Sequence, residues 1–206
     1  MAFKKFKTID EVLNTFQLSI RKKEFLTKLP NAKMSDSLKK ELEYIRNNYP
    51  YKSSEIAIRE TILFPILKEV WKKYDDVLML WANKMISYGK ELGGVPDYLV
   101  AKQSKLGKIV WDNAALMAVV EAKRDDFELG WGQCGAEMYA MQQINGKPEI
   151  PIYGIVTNGE FWEFGKLENT AFTDNNKIYS IEEQDTLVSV LISFFDLCKE
   201  NAAKLP

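Results

Sequence analysis

Two acidic residues and a lysine are spaced so that their side chains could meet at one edge of a sheet. Asp97 lies near the start of the segment VPDYLV, and Glu121 and Lys123 follow in VVEAKR with one alanine between them. Because side chains alternate across a strand, Glu121 and Lys123 point to the same face, which we expect Met117 and Val119 to share. If the two strands are neighbours, Asp97 and Glu121 converge on one point.

Convergent carboxylates raise each other's pKa unless a cation lies between them. Mg²⁺ binds at such oxygen sites, usually through one or two carboxylates together with waters and a substrate phosphate. Lys123 beside the ion would orient or deprotonate an attacking water, or stabilise charge that develops on a phosphoryl group. The pattern therefore predicts a site for one or two ions of Mg²⁺ or Mn²⁺.

The composition excludes several classes of enzyme and of metal site. The chain has 206 residues and no histidine, which excludes serine–histidine and cysteine–histidine hydrolases and histidine-bearing zinc sites. Cys134 and Cys198 have no metal-ligand spacing and are predicted to be buried hydrophobic residues. The N-terminus lacks the apolar segment of a secretory signal, so we expect a cytoplasmic protein that is not bound to a membrane.

The charge is unevenly distributed. Residues 1–40 contain ten Lys or Arg against four Asp or Glu, although the whole chain has a net charge of −1. A solvated helix surface and a nucleic-acid contact explain this basic segment equally well.

Hydrophobic periodicity predicts helices on both sides of a group of strands. Helices are expected over 8–20, 35–46, 53–74, 125–144 and 181–198, with a kink at Pro65. Strands are expected over 77–89, 95–102 and 114–124, and a hairpin over 150–167. The aromatic residues Phe161, Trp162 and Phe164 of that hairpin are predicted to be core. The order indicates an α/β domain over 51–206, a mixed central sheet flanked by helices, preceded by an N-terminal helical extension over 1–50.

Pro96-Asp97, followed 24 residues later by Glu121-Ala122-Lys123, resembles the signature of the PD-(D/E)xK nuclease superfamily, which includes many restriction endonucleases. The similarity is closest to the N-terminal nuclease domain of type I restriction enzyme R subunits, where a helix like RETILFPIL also precedes a hairpin that leads to the aspartate. The resemblance covers roughly residues 53–167 and implies a restriction-endonuclease-like fold.

The resemblance also implies a role for each matching residue. Asp97 and Glu121 would bind the metal, with the carbonyl of Ala122 as a third ligand, and Lys123 would assist the water nucleophile. Glu60, on the preceding helix, would complete the site or hold a second ion.

Gln133 would match a glutamine that several of these families place on the helix after the third strand. Those families often have a tyrosine four residues later, whereas this chain has Glu137 there. Gln133 is therefore assigned by position alone.

The function implied is Mg²⁺-dependent hydrolysis of phosphodiester bonds in DNA. The alternative is a catalytically inactive domain of this fold that binds nucleic acid or a protein partner in a restriction or defence system. DNA or RNA as substrate, and a monomer, homodimer or larger complex, are all compatible with the sequence.

Overall fold

The computed structural model of the chain describes residues 3–90, 92–111 and 115–205. The α-helices are α1 (Ile9–Phe16), α2 (Asp36–Asn48), α3 (Glu55–Ile58), α4 (Phe64–Trp71), α5 (Phe127–Asn145) and α6 (Gln184–Ala202). A π-helical turn, Arg59–Leu63, joins α3 to α4, and short 3₁₀ turns span Phe3–Lys5 and Tyr51–Ser53. The strands are β1 (Ser19–Lys22), β2 (Leu78–Ala82), β3 (Ile86–Tyr88), β4 (Leu92–Gly94), β5 (Tyr98–Lys102), β6 (Leu116–Ala122), β7 (Ile152–Thr157), β8 (Phe161–Glu168), β9 (Ala171–Asp174) and β10 (Tyr179–Ser180).

One mixed sheet organises the molecule, with strand order β1-β9-β8-β7-β6-β5-β2 and β10 paired to β8. Strands β2, β5 and β6 are antiparallel, whereas β6 and β7 are parallel and are connected through α5. The order of helix, antiparallel strands, helix and closing hairpin is the one that the sequence predicts. The chain thus has a mixed central sheet flanked by helices, which confirms the fold class and is consistent with a restriction-endonuclease-like fold.

Helices cover both faces of the sheet and create two hydrophobic cores. Helices α5 and α1 close one core, and helices α2, α4 and α6 close the other. All seven residues of β6 are buried, so the prediction of a central strand covered on both sides is confirmed.

A β-bulge changes which side chains of β6 share a face. The register with β5 shifts between Val100 and Ala101, and Met117 lies in the core opposite to that of Val119. The expectation that Met117 shares the face of Glu121 is therefore wrong, because a bulge inserts one residue and interrupts the alternation.

The strand predicted over 77–89 is two strands. Asn83 has a φ of 52°, which ends β2, and the chain then forms the separate hairpin of β3 and β4. Between the first two predicted strands, Leu92–Gly94 forms β4, whereas Glu91 lies outside the described residues, as does Ala114 at the start of the third predicted strand.

The first 50 residues are integrated with the rest of the chain. Phe3 and Phe6 belong to the α5 core, Leu38 and Leu42 to the opposite core, and β1 extends the sheet through β9. The segment is therefore not purely helical, since it also supplies an edge strand. The boundary at residue 50 stays a prediction. Over the described parts of the chain, every helix is too short or too polar to span a bilayer.

Helix α5 begins at Phe127, two residues after the start of the predicted range 125–144. Asp126 caps it by accepting a hydrogen bond from the backbone N–H of Leu129 at 2.8 Å. Its glycines allow close packing: a Cβ added at Gly132 would lie 2.6 Å from the backbone nitrogen of Thr8. The N-terminal segment therefore rests directly on the α5 backbone.

We expect Gly132→Ala to lower the free energy of unfolding by about 1–3 kcal/mol, because the added methyl group meets main chain that cannot rotate away. Urea denaturation would measure the change. Gly93→Ala is the control, since its nearest neighbour is the Ser87 hydroxyl at 3.3 Å. Equal stability of the two variants would contradict the close contact between α5 and residues 6–8.

Candidate active site

Asp97 and Glu121 meet where β5 begins and β6 ends. Tyr98 pairs with Val120 in the antiparallel register, so the next residues, Asp97 and Glu121, face each other. The backbone N–H of Asp97 donates to Glu121 Oε1 at 3.3 Å, and the backbone N–H of Ala122 donates to Asp97 Oδ2 at 2.8 Å. Each strand thus holds the carboxylate of the other, as the convergence expected from the sequence requires.

Lys123 lies directly beside this pair. Its Nζ is 3.3 Å from Glu121 Oε2 and 3.9 Å from Glu55 Oε2, and its backbone N–H donates to the carbonyl of Thr157 on β7. Burial alone would lower the pKa of Lys123, but the charges of Glu121, Glu55 and Asp97 outweigh it and raise the pKa above its usual value. Lys123 is therefore an ammonium at neutral pH, which favours charge stabilisation over proton abstraction.

A second carboxylate approaches Glu121 from α5. Glu137 is fully buried, its Oε1 accepts a hydrogen bond from the side-chain amide of Gln133 at 3.3 Å, and its Oε2 has no partner among the described residues. Burial, and then the charge of Glu121, raise the pKa of Glu137 well above its ordinary value. Burial therefore favours the neutral form of the Glu137 carboxyl beside Glu121.

Glu121 itself is almost completely buried. Burial, and then the negative charge of Asp97, raise the pKa of Glu121 to about 7, while Lys123 and the hydrogen bond from Glu137 oppose the shift. Such a carboxylate gives up its proton readily once another positive charge is supplied.

Arg59 occupies the opposite side of Asp97. Its Nη1 is 2.9 Å from Asp97 Oδ1, its Nη2 donates to the side-chain oxygen of Asn83 at 2.7 Å, and its guanidinium lies 5.6 Å from the ring centre of Tyr98. The residue belongs to the π turn that precedes Pro65. Proline lacks an N–H and its ring crowds the preceding turn, so the helix does not continue regularly here, in line with the expected kink.

The acidic residue that the structure brings nearest to Lys123 from this helical region is Glu55 rather than Glu60. Glu60 is exposed, and no hydrogen bond or ion pair connects it with Asp97, Glu121 or Lys123 among the described residues. Burial is the main cause of the raised pKa of Tyr98, next to Asp97, and the charges of Asp97 and Glu60 act in the same direction. The role assigned to Glu60 stays a prediction, with Glu55 as a competing candidate.

The donor chemistry of this cluster fits a divalent cation. With every carboxylate ionised, four negative charges oppose two positive ones: Asp97, Glu121, Glu137 and Glu55 against Arg59 and Lys123. Protons and metal ions compete for such carboxylates, and the pKa values of Glu121 and Glu137 are raised first by burial and then by the neighbouring negative charges. No three acidic or cysteine side chains in the described ranges already form a metal cage. Mg²⁺ needs only one or two carboxylates, however, and takes its other ligands from water and substrate.

The cluster opens to solvent through a hollow of about 400 Å³. Its walls are the N-terminal residues of α3 and the segment that connects β6 to α5: Ser53, Ser54, Glu55, Lys123, Arg124, Asp125, Asp126 and Leu129. A phosphate group could reach Lys123 by this route.

Sequence reasoning missed three members of the cluster. In the sequence, Glu137 is noted only because a tyrosine is expected at its position. Glu55 and Arg59 look like ordinary charged residues of an amphipathic helix. The sequence signal for Glu137 is its spacing. It follows Gln133 by four residues, which places the two side chains on the same face of the helix.

Comparison with known proteins leaves the family open. No family model matches the chain, and neither does any curated protein. A solved structure described as the cryoEM structure of a DrdV–DNA complex is similar, with 14% sequence identity and a TM-score of 0.45. The alignment covers 77% of this chain and 13% of that chain.

We expect Glu137→Gln to stabilise the fold at high pH and not at low pH. A raised folded-state pKa contributes stability that is complete below the unfolded value of about 4.3 and is lost as the pH rises through the folded-state values, near 7 for Glu121. Glutamine keeps a neutral donor beside Glu121 and removes one ionisation. Its advantage at pH 8 should be on the order of 1 kcal/mol, as for one buried polar group.

Urea denaturation in EDTA at pH 5 and pH 8 would measure this difference. Glu128→Gln, on the exposed first turn of α5, is the control and should track the wild type at both values. A Glu137→Gln variant that is less stable than the wild type at pH 8 would contradict the raised pKa of Glu137.

Proposed function

We propose that this chain is a Mg²⁺-dependent nuclease that hydrolyses phosphodiester bonds in DNA. The observation that supports the proposal most strongly is the reciprocal pairing of Asp97 and Glu121, with Lys123 3.3 Å from Glu121 and in the wall of an open hollow. The order of the surrounding elements agrees with the PD-(D/E)xK pattern.

Asp97 and Glu121 would hold the ion, and the carbonyl of Ala122 is the further ligand that the pattern implies. When bound, the ion supplies a Lewis acid that activates water and neutralises charge on the phosphate. Lys123, as an ammonium, would donate hydrogen bonds to phosphate oxygens as their charge grows. Arg59 would fix the orientation of Asp97 through one carboxylate oxygen and leave the ion the other side of the group.

The remaining assignments are extensions of this proposal. We infer DNA as the partner and a cytoplasmic location, and a homodimer or a larger restriction or defence complex is compatible with the fold. Gln133 would act through Glu137, because its amide holds that carboxyl against Glu121.

A second candidate function is a domain of the same fold that binds nucleic acid or protein without cleaving it. The ion pair between Arg59 and Asp97 favours this alternative, because a guanidinium already satisfies one oxygen of a proposed metal ligand. Metal binding distinguishes the two functions, since an inactive scaffold need not retain a divalent-ion site.

We expect Asp97→Asn and Glu121→Gln each to lower Mg²⁺-dependent DNA cleavage at least about a thousandfold, equivalent to ~4 kcal/mol of barrier, while preserving the circular dichroism spectrum. Both substitutions keep the shape of the side chain and remove the charge that the ion needs. Wild-type cleavage that persists in EDTA would contradict the proposal, as would full activity of either variant.

The pair Glu55→Gln and Glu60→Gln tests which acidic residue of the helical region belongs to the site. Glu55 lies 3.9 Å from Lys123, so we expect its substitution to reduce cleavage about tenfold or more, and Glu60→Gln to have the smaller effect. The reverse ranking in an assay at saturating Mg²⁺ would instead support the role that the family resemblance gives to Glu60.

A further inference from the structure

The described surface has an apolar cleft that the proposed metal chemistry does not use. It has a volume of about 450 Å³, within the range of small-molecule sites. Its walls come from the start of α5, from β8 and from the segment around β10: Phe127, Phe161, Glu163, Ile178, Tyr179, Ser180 and Glu183. Phe161 is 47% exposed and Ile178 is 59% exposed, so two large apolar side chains face solvent in one place. The prediction that Phe161 is core is therefore wrong, whereas Trp162 and Phe164 are buried.

The cleft lies on the same face of the sheet as the candidate active site. Glu121 on β6 pairs with Val156 on β7, and Val156 pairs with Glu163 on β8. Residues paired in this way project from the same face, so Glu163 lies on the α5 side of the sheet, two strand spacings or about 10 Å from Glu121. The first turn of α5 separates the two depressions, because Asp126 lines the hollow above Lys123 and Phe127 lines the cleft.

The polar groups of the cleft select the kind of ligand it can take. The lining residues include Glu163 and Glu183 and no lysine or arginine, so a phosphate is disfavoured. Trp131 Nε1 donates to Glu163 Oε2 at 2.6 Å, which fixes the carboxylate, and no hydrogen bond to Glu163 Oε1 occurs among the described residues. The cleft therefore combines exposed aromatic faces with one oriented acceptor.

We propose that this cleft binds an unpaired nucleobase that carries an exocyclic amino group, such as cytosine. The base would stack on Phe161 and the neighbouring apolar side chains, and its amino group would donate to Glu163. A base within a duplex cannot enter such a cleft, so the ligand is single-stranded DNA or an extruded base. This inference rests on the proposed function in one respect only, namely that a phosphate of the bound DNA strand lies near Lys123.

The test is photocrosslinking of the full chain, in EDTA, to a short single-stranded deoxycytidine oligonucleotide that contains one 5-iododeoxycytidine. We expect mass spectrometry to find the crosslink at Phe127 or Phe161. Crosslinks confined to residues outside the cleft would overturn the proposal.

Affinity measurements provide the second arm. Phe161→Ala should weaken oligonucleotide binding about tenfold, as expected for the loss of one base-stacking contact, and Ile178→Ser should also weaken it. Tyr44→Ala is the control, because Tyr44 on α2 is 66% exposed and lies outside the cleft. A Phe161→Ala affinity equal to that of Tyr44→Ala would overturn the proposal.

The role of Glu163 has its own readout. The wild type should bind oligodeoxycytidine more tightly than oligodeoxythymidine, because thymine has no exocyclic amine, and Glu163→Gln should reduce that preference. An unchanged preference would overturn the assignment of Glu163.

These outcomes are separable from those of the nuclease proposal. Crosslinking at the cleft without Mg²⁺-dependent cleavage would remove only the nuclease assignment. Mg²⁺-dependent DNA cleavage together with crosslinks only outside the cleft would overturn only the proposal that the cleft binds a base. A chain that binds no single-stranded oligonucleotide in EDTA would overturn the cleft and leave the nuclease proposal to the cleavage assay with Mg²⁺.

Discussion

The structure depends on a reciprocal contact between β5 and β6, in which each strand binds the acidic side chain of the other through a backbone N–H. Asp97 accepts from Ala122, and Glu121 accepts from Asp97. Hydrogen bonds to charged groups are worth more than neutral ones, and these two also satisfy backbone donors at the point where strand pairing stops. The contact therefore fixes the strand ends and brings two like charges together.

The rest of the site compensates for that concentration of charge. Arg59 and Lys123 neutralise one side of Asp97 and Glu121 respectively, and burial raises the pKa of Glu137 and so favours its neutral form. Removing charged groups from water is costly, so a buried cluster with surplus carboxylates lowers the stability of the fold. Such clusters with perturbed pKa values occur preferentially at functional sites, which links the energetics of this region to the proposed function. Their affinity for a cation is the property that metal-dependent hydrolysis requires.

The sequence predicts much of this arrangement and fails at identifiable points. The apolar run of β6, its charged end and the helix that follows are predicted from periodicity and composition, and the structure confirms them. Met117 was placed on the wrong face because a β-bulge leaves no signature in a continuous apolar run. The predicted strand over 77–89 is too long because Asn83 adopts a positive φ and ends β2. Asparagine tolerates positive φ, but its presence in a sequence does not predict it.

The approach of Glu55, Arg59 and Glu137 could not be predicted because it depends on how helices pack over the sheet. Glu55 lies before the π turn and Glu60 within it, and the apolar periodicity of the helix does not show which of the two faces Lys123. The pairing of Glu137 with Glu121 depends on the close approach of α5 at Gly130, where an added Cβ would lie 2.5 Å from Val156. Contacts of this kind become visible only in three dimensions.

A crystal structure of the wild-type chain grown with Mn²⁺ tests the central claim most directly, through anomalous difference density at the Mn absorption edge. The account predicts a peak between the carboxylates of Asp97 and Glu121. A map without a peak there, in crystals in which Arg59 remains paired with Asp97 at saturating Mn²⁺, would contradict it.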